Sequence, residues 1–180
     1  MSARIVVAFA TRYGSTGEVA EALAGTLRET GIDAEAKPAG ALRSLEGYDA
    51  VVLGTPIYLG ALLKDAQTFL EKHRKTLEQL PVAVFALGPA SADDELEGSQ
   101  AQLSLALAKL AWFSPVATTV FVGRYDPARL RFFDKALTAL PASPLHGRPA
   151  RDDRDWSAIR DWGLDLPALL PQPSAATLAS

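Results

Sequence analysis

The sequence predicts an α/β fold in which a parallel β-sheet is covered by helices on both faces, and three observations carry that prediction. Short apolar runs alternate with helix-period segments along most of the chain, the pattern that right-handed crossovers between parallel strands produce. Three of the turns that follow apolar runs, at residues 11–16, 55–60 and 88–91, are enriched in Gly, Pro and hydroxyl residues. In open α/β sheets, ligands bind outside the carboxyl ends of the strands. Finally, 180 residues of which 48% are hydrophobic suffice for one domain with a sizeable core and not for two ordinary ones.

Residues 4–10 form a short β-branched and apolar run, as expected of a central strand buried on both faces. Ala20, Leu23, Ala24 and Leu27 follow at i, i+3, i+4 and i+7, giving a first helix that Gly31 stops. Residues 33–37 alternate small and charged side chains before Pro38, a pattern suited to an edge strand. Residues 49–53 are apolar and end at Gly54-Thr55-Pro56, which reads as a second strand-to-loop transition. From Leu63, the positions Ala66, Phe69, Leu70, His73 and Leu77 predict one helix up to Pro81, with His73 a surface or boundary residue rather than a ligand. Residues 81–87 give the next strand, Leu103, Ala106, Leu107 and Leu110 the face of a further helix, and residues 116–122 a fifth strand.

The remainder is less regular. Leu130, Phe133, Ala136, Leu137 and Leu140 share one helical face within residues 127–140, ringed by Arg124, Arg129, Arg131 and Lys135, and a Pro/Gly/Arg-rich linker containing His146 follows. Asp155 suits an N-cap for a last helix whose stripe is Trp156, Ile159, Trp162 and Leu166. One domain over residues 1–166 is expected, with an insertion at about 124–154 and a tail at 167–180 that is disordered at its end.

Composition narrows the chemistry. The chain has no cysteine, which removes disulfides, thiolate metal sites, iron–sulfur clusters and cysteine nucleophiles together. Its two histidines, His73 and His146, lie in no close cluster with carboxylates, so no metal centre is expected. With 18 Lys+Arg against 21 Asp+Glu there is no basic field for nucleic acid. No apolar run approaches a membrane span, and no signal segment is expected ahead of the first strand, so a cytoplasmic protein is expected.

The stretch from Ala10 to Gly17 joins the first strand to the first helix, and such a turn makes an anion site. The first N–H groups of a helix lack intrahelical partners and its dipole favours negative charge. Glycines at 14 and 17 and hydroxyls at 11, 15 and 16 let the chain close around a phosphate. The alternative is that Ser15 and Glu18 form an S-x-x-E capping box and start the helix with no ligand at all. The glycine spacing fits neither the dinucleotide fingerprint nor the P-loop.

Thr11-Arg12-Tyr13-Gly14-Ser15-Thr16 is similar to the T-x-T-G-x-T loop of the flavodoxin-like family, matching at Thr11, Gly14 and Thr16 and departing at Tyr13. The resemblance implies a doubly wound five-stranded parallel sheet of order 2-1-3-4-5 and an FMN cofactor with its phosphate in that loop. It implies ring contacts from Pro56, Ile57, Tyr58, Leu59 and Gly60 and from Leu87, Gly88, Pro89, Ala90 and Ser91, with Tyr58 the stacking candidate. Asp93, Asp94 and Glu95 follow the third loop closely enough to lower a flavin potential, or serve only as helix-start acids. A long segment after the last strand and Trp156-Ser157-Ala158-Ile159 resemble the branch of menaquinone-dependent protoporphyrinogen oxidases. The expected function is therefore an FMN oxidoreductase acting on a small quinone-like or aromatic, protoporphyrinogen-type substrate, with Arg129, Arg131, Phe132, Phe133 and Lys135 as substrate residues. A protein-to-protein electron carrier and a cofactor-less interaction domain are the alternatives. A small-molecule or protein redox partner is expected, with room for peripheral membrane contact and for an oligomer.

Overall fold

A computed structural model describes residues 2–88, 96–143 and 145–170. The elements in chain order are β1 (Arg4–Phe9), α1 (Ser15–Glu29), β2 (Asp33–Pro38), β3 (Ala50–Tyr58), β4 (Ala61–Leu62), α2 (Lys64–Lys72), α3 (Arg74–Leu77), β5 (Val82–Leu87) and α4 (Leu96–Ala108). They continue with β6 (Ala117–Phe121), β7 (Arg124–Tyr125), α5 (Phe132–Ala139), β8 (Arg151–Asp152) and α6 (Trp156–Leu169). The main sheet runs β2-β1-β3-β5-β6 with every one of these pairings parallel. Leaving aside the two-residue β4, this is the expected 2-1-3-4-5 order.

Alternation along the strands divides the core in two. Ile5 and Val7 pack with Leu23, Leu27, Ile159 and Leu166 on the α1/α6 face, whereas Val6 and Ala8 pack with Phe69, Leu70, Leu103 and Leu107 on the α2/α4 face. β1, β3 and β5 are covered on both sides, which is why they read as unbroken apolar runs. On the α1/α6 side the helices approach closely: a Cβ on Gly163 would stand 3.0 Å from Thr26 Cγ2.

Four sequence expectations are corrected. β3 does not end at Gly54 but continues through Thr55, Pro56 and Ile57 to Tyr58, then turns back as β4. Positive φ at Leu59 (50°) and Gly60 (72°) makes the connection a tight two-residue hairpin. Pro56 keeps its register with Leu87 of β5 and is tolerated because its nitrogen faces the β1 side, where pairing has already ended at Gly54. The single helix expected across residues 63–77 is broken at His73, which leaves helical geometry at φ −103°, ψ 12°. His73 is buried rather than on the surface; its ring lies 4.9 Å from that of Phe69 and Nε2 is 3.2 Å from the Leu42 carbonyl. Burial, opposed by that hydrogen bond, holds its pKa below the ordinary histidine value. Finally, α6 runs past Pro167, because Leu166 and Leu170 are both fully buried and Leu170 N–H donates to the Leu166 carbonyl at 2.8 Å. Residues 171–180, the rest of the expected tail, lie outside the described residues.

Gly54 sits mid-strand beneath the Phe85 ring, and a Cβ there would overlap the ring itself. Both residues are locked in the sheet, so Gly54→Ala is expected to cost about 1–3 kcal/mol of overpacking strain. A urea-denaturation midpoint at or above that of the unaltered chain would show that the ring has room to move.

Candidate functional site

The carboxyl ends of β1, β3, β5 and β6 open onto one edge of the sheet, where the turn after β1 begins α1. The helix starts without a side-chain cap. Gly14 occupies the cap position at φ 89°, a left-handed conformation that penalises a Cβ, and its N–H donates to Thr11 Oγ1 at 2.9 Å. The hydroxyl of Thr11 therefore shapes the loop from within. The expected capping box is absent: Ser15 is the first helical residue, and the Glu18 carboxylate turns away to Arg124 at 3.0 Å and Arg154 at 2.8 Å.

What remains is a helix end whose first N–H groups have no intrahelical acceptor, above a hydroxyl with no partner. Thr16 is 1% exposed and its Oγ1 is buried without a hydrogen bond. A buried polar atom left unmatched by the chain is costly. Uncapped amides, a left-handed glycine and an orphaned hydroxyl together fit a terminal phosphate.

Beside this loop lies an open cavity of about 210 Å³. Of the expected cofactor residues, Tyr13, Ser15, Pro56, Ile57, Tyr58, Leu87 and Gly88 line it. Thr11, Arg12, Gly14 and Thr16 are outside the lining, as are Leu59 and Gly60, which form the hairpin tip. Pro89, Ala90 and Ser91, with Asp93, Asp94 and Glu95, lie outside the described residues. Tyr58 ends β3 with 43% of its surface exposed, and desolvation pushes its phenol up to about 12. The hydroxyl therefore stays neutral at physiological pH.

On the opposite wall only Arg129 is among the expected site residues. That wall comes from the segment after β6, through Gly123, Arg124, Tyr125, Asp126, Leu130 and Leu145, with Arg129 beside them. Applying the strand-end rule to the fifth strand, as to the first three loops, would have found Gly123 and Arg124. Of the five expected substrate residues, Arg129 borders the cavity; Arg131, Phe132, Phe133 and Lys135 lie outside its lining and exposed. Nothing in α5 is buried, and Phe132 and Phe133 are 81% and 79% exposed.

Ion pairs fasten this segment to the β1–α1 loop and to the first turn of α1. Asp134 of α5 receives Arg12 Nη2 at 2.7 Å and accepts a short hydrogen bond from the Tyr13 hydroxyl. Burial, reinforced by that bond, holds the Tyr13 pKa above the ordinary phenol value. At the second point, the side chain of Arg154 is only 2% exposed and reaches Glu18 at 2.8 Å and Asp152 at 2.6 Å, while Trp156 covers its guanidinium at 4.6 Å. Desolvation alone would raise the Glu18 pKa, but Arg154 and Arg124 outweigh it and hold the carboxyl below its usual range. Arg154 does the same to Asp152. Among the described residues, no group of three or more His, Asp or Glu side chains is placed to hold a metal.

Comparison with known proteins agrees with this geometry. The sequence matches the flavodoxin domain family over residues 6–151, and the chain belongs to that family. It is 26% identical to the protoporphyrinogen IX dehydrogenase [quinone] of Escherichia coli K12, over 95% of this chain and 98% of that one. A C101A mutant flavodoxin from Pseudomonas aeruginosa shares the fold with a TM-score of 0.57 at 19% identity, covering 93% of this chain and 98% of that one. Oxidised flavodoxin 1 from Bacillus cereus does so with a TM-score of 0.55 at 18% identity, covering 94% and 100%. Family membership makes this a flavodoxin-type FMN protein with redox chemistry. Among the described residues, no helix is long and apolar enough to cross a membrane.

Thr16→Ala and Gly14→Val are expected to weaken FMN binding far more than binding of riboflavin, which lacks the phosphate. The first removes the orphaned donor and the second forces a β-branched residue into positive φ. Fluorescence-quenching titrations with both flavins measure this, and equal losses would make the loop merely structural. A second expectation concerns acid. Because Glu18 and Asp152 have folded pKa values below their unfolded ones, the stabilisation from their ion pairs is complete above roughly pH 4–5. It is lost as pH falls through the lowered values, so hydrogen exchange in residues 124–154 should accelerate there before exchange in β1 and β3 does.

Proposed function

We propose that this chain is an FMN-dependent oxidoreductase of the cytoplasm whose partner is a small quinone-like or aromatic, protoporphyrinogen-type substrate. The observation that carries the proposal is the cavity with two unlike walls: one is built from the phosphate loop and the β3 hairpin, the other from the segment after β6. A site meant only to expose a flavin edge to a large partner has no need of the second wall. The name of the Escherichia coli relative, similar along nearly the whole chain, supports the same substrate class.

In this reading the amides of Ser15, Thr16 and Gly17 and the Thr16 hydroxyl hold the phosphate. Thr11 keeps Gly14 in its left-handed conformation. The side chains of Arg12 and Tyr13 are committed to Asp134, so position 13 serves the phosphate through its backbone. Tyr58 covers the ring from the hairpin, and Pro56, Ile57, Leu87 and Gly88 complete that wall. FMN, when bound, supplies the electron-transfer chemistry, and the protein supplies orientation, electrostatics and access. Arg129 gives the opposite wall a cation for a substrate carboxylate, while Arg131, Lys135, Phe132 and Phe133 form the outer approach.

One observation favours the carrier reading instead. Phe132, Phe133, Leu137 and Leu140 expose an apolar face of α5 and its end beside Arg131 and Lys135, a surface suited to a protein partner or an anionic membrane.

Turnover separates the two. The purified chain should show a flavin spectrum, release a cofactor with the mass of FMN, and oxidise protoporphyrinogen with a small quinone as acceptor and no second protein. Arg129→Gln, assayed at saturating FMN, should raise the substrate KM by about five- to tenfold at low salt, less at high salt. Reduction and reoxidation only through a protein partner would establish the carrier.

A further inference from the structure

Arg124 opens the segment after β6, and its guanidinium is committed on one side only. Nη1 stands 3.0 Å from both Glu18 carboxylate oxygens, whereas Nη2 is buried with no hydrogen-bond partner. The only other buried side-chain polar atom in that condition among the described residues is Thr16 Oγ1, half a turn from Glu18 on the same helix end. Both donors are held out of water around the first turn of α1, Arg124 through its Glu18 partner and Thr16 on the helix itself, and the chain offers neither an acceptor. The neighbouring carboxylates are already taken: Glu18 is shared by Arg124 and Arg154, Asp152 by Arg154, and Asp126 stands 3.5 Å from Arg129 Nε. Arg129 Nη1 lies 3.9 Å from where a Cβ on Gly14 would be, so a second guanidinium hangs over the loop. Arg124 and Ser15 line the same cavity.

We propose that Arg124 is a ligand of the cofactor phosphate, its free Nη2 donating to a phosphate oxygen that Thr16 also meets. The proposal rests on the FMN reading and deepens it: the cofactor's anion is held by the segment after β6 as well as by the β1–α1 loop. A guanidinium suits this role because its planar fork satisfies Glu18 with one nitrogen while presenting another to a second anion in fixed geometry. Glu18 is then the residue that aims Arg124 rather than one that merely neutralises it. The same phosphate would tie the far wall of the cavity to the near one.

The test is titration of the full chain with FMN and with riboflavin, read by flavin fluorescence quenching at low and high salt. Arg124→Gln should weaken FMN binding about 10- to 100-fold, the range for a hydrogen bond to a charged group, and riboflavin binding less than about threefold. Because that variant also frees the Glu18 carboxylate beside the phosphate, Glu18→Gln/Arg124→Gln is the deciding form. It should remain as selectively impaired as the single variant, and recovery to unaltered FMN affinity would overturn the proposal. Arg124→Lys keeps the charge if the glutamine variant fails to fold, and should bind FMN between the two with a steeper salt dependence than the glutamine form. Equal losses for both flavins would also overturn it. If the unaltered chain quenches neither flavin, the cofactor reading falls, and this inference with it.

Discussion

The site depends on a buried charge. Arg154 has its guanidinium almost wholly withdrawn from solvent between Glu18 on α1 and Asp152 on β8, under the ring of Trp156. A cation in that position is tolerable only with its partners in place, because losing one leaves an uncompensated charge in low dielectric. The arrangement is therefore intolerant of drift. It sets the strand pair β7–β8, with register Arg124 to Asp152 and Tyr125 to Arg151, against the first turn of α1. Tyr125 adds the apolar contact of β7, but beyond it packing contributes little, since no described residue between 126 and 150 is buried.

The sheet and the second wall are thus held by different physics. Strands β1, β3 and β5 are positioned by burial on both faces, a non-directional force spread over many side chains. The segment after β6 is positioned by a few directional contacts: Asp134 with Arg12 and Tyr13, Arg124 and Arg154 with Glu18. Directional contacts, unlike burial, fix where a donor points. Glu18 joins the two systems, lying on a core helix while its carboxylate serves the segment.

This difference also decides what the sequence could tell. Strand runs and most helix stripes were legible because periodicity reports burial, α5 being the exception with its stripe exposed. The order of the sheet was legible only through the family resemblance of the Thr11–Thr16 loop. The Asp155 cap was legible because its partner, the Ala158 N–H, is three residues away. The Ser15–Glu18 capping box met the same local rule and failed, because Arg124 and Arg154 compete for Glu18 from more than a hundred residues away. Pro56 marked a strand end to any local rule, yet its nitrogen faces the side where β1 has already ended, so the strand runs on beside β5. Arg154 resembled one more charge in a Pro/Gly/Arg-rich stretch, and nothing in its neighbours' spacing distinguishes a buried guanidinium from a solvated one.

The solvent-facing character of residues 126–150 bears on how such a chain diversifies. A loop that contributes nothing to the core can change length and composition at little thermodynamic cost, provided its two ends keep their electrostatic anchors. Substitutions there fall on the wall of the cavity and on the outer approach, not on the sheet. Recognition and foldability are consequently inherited through separate sets of positions, and a lineage can explore new guests without first securing a more stable scaffold.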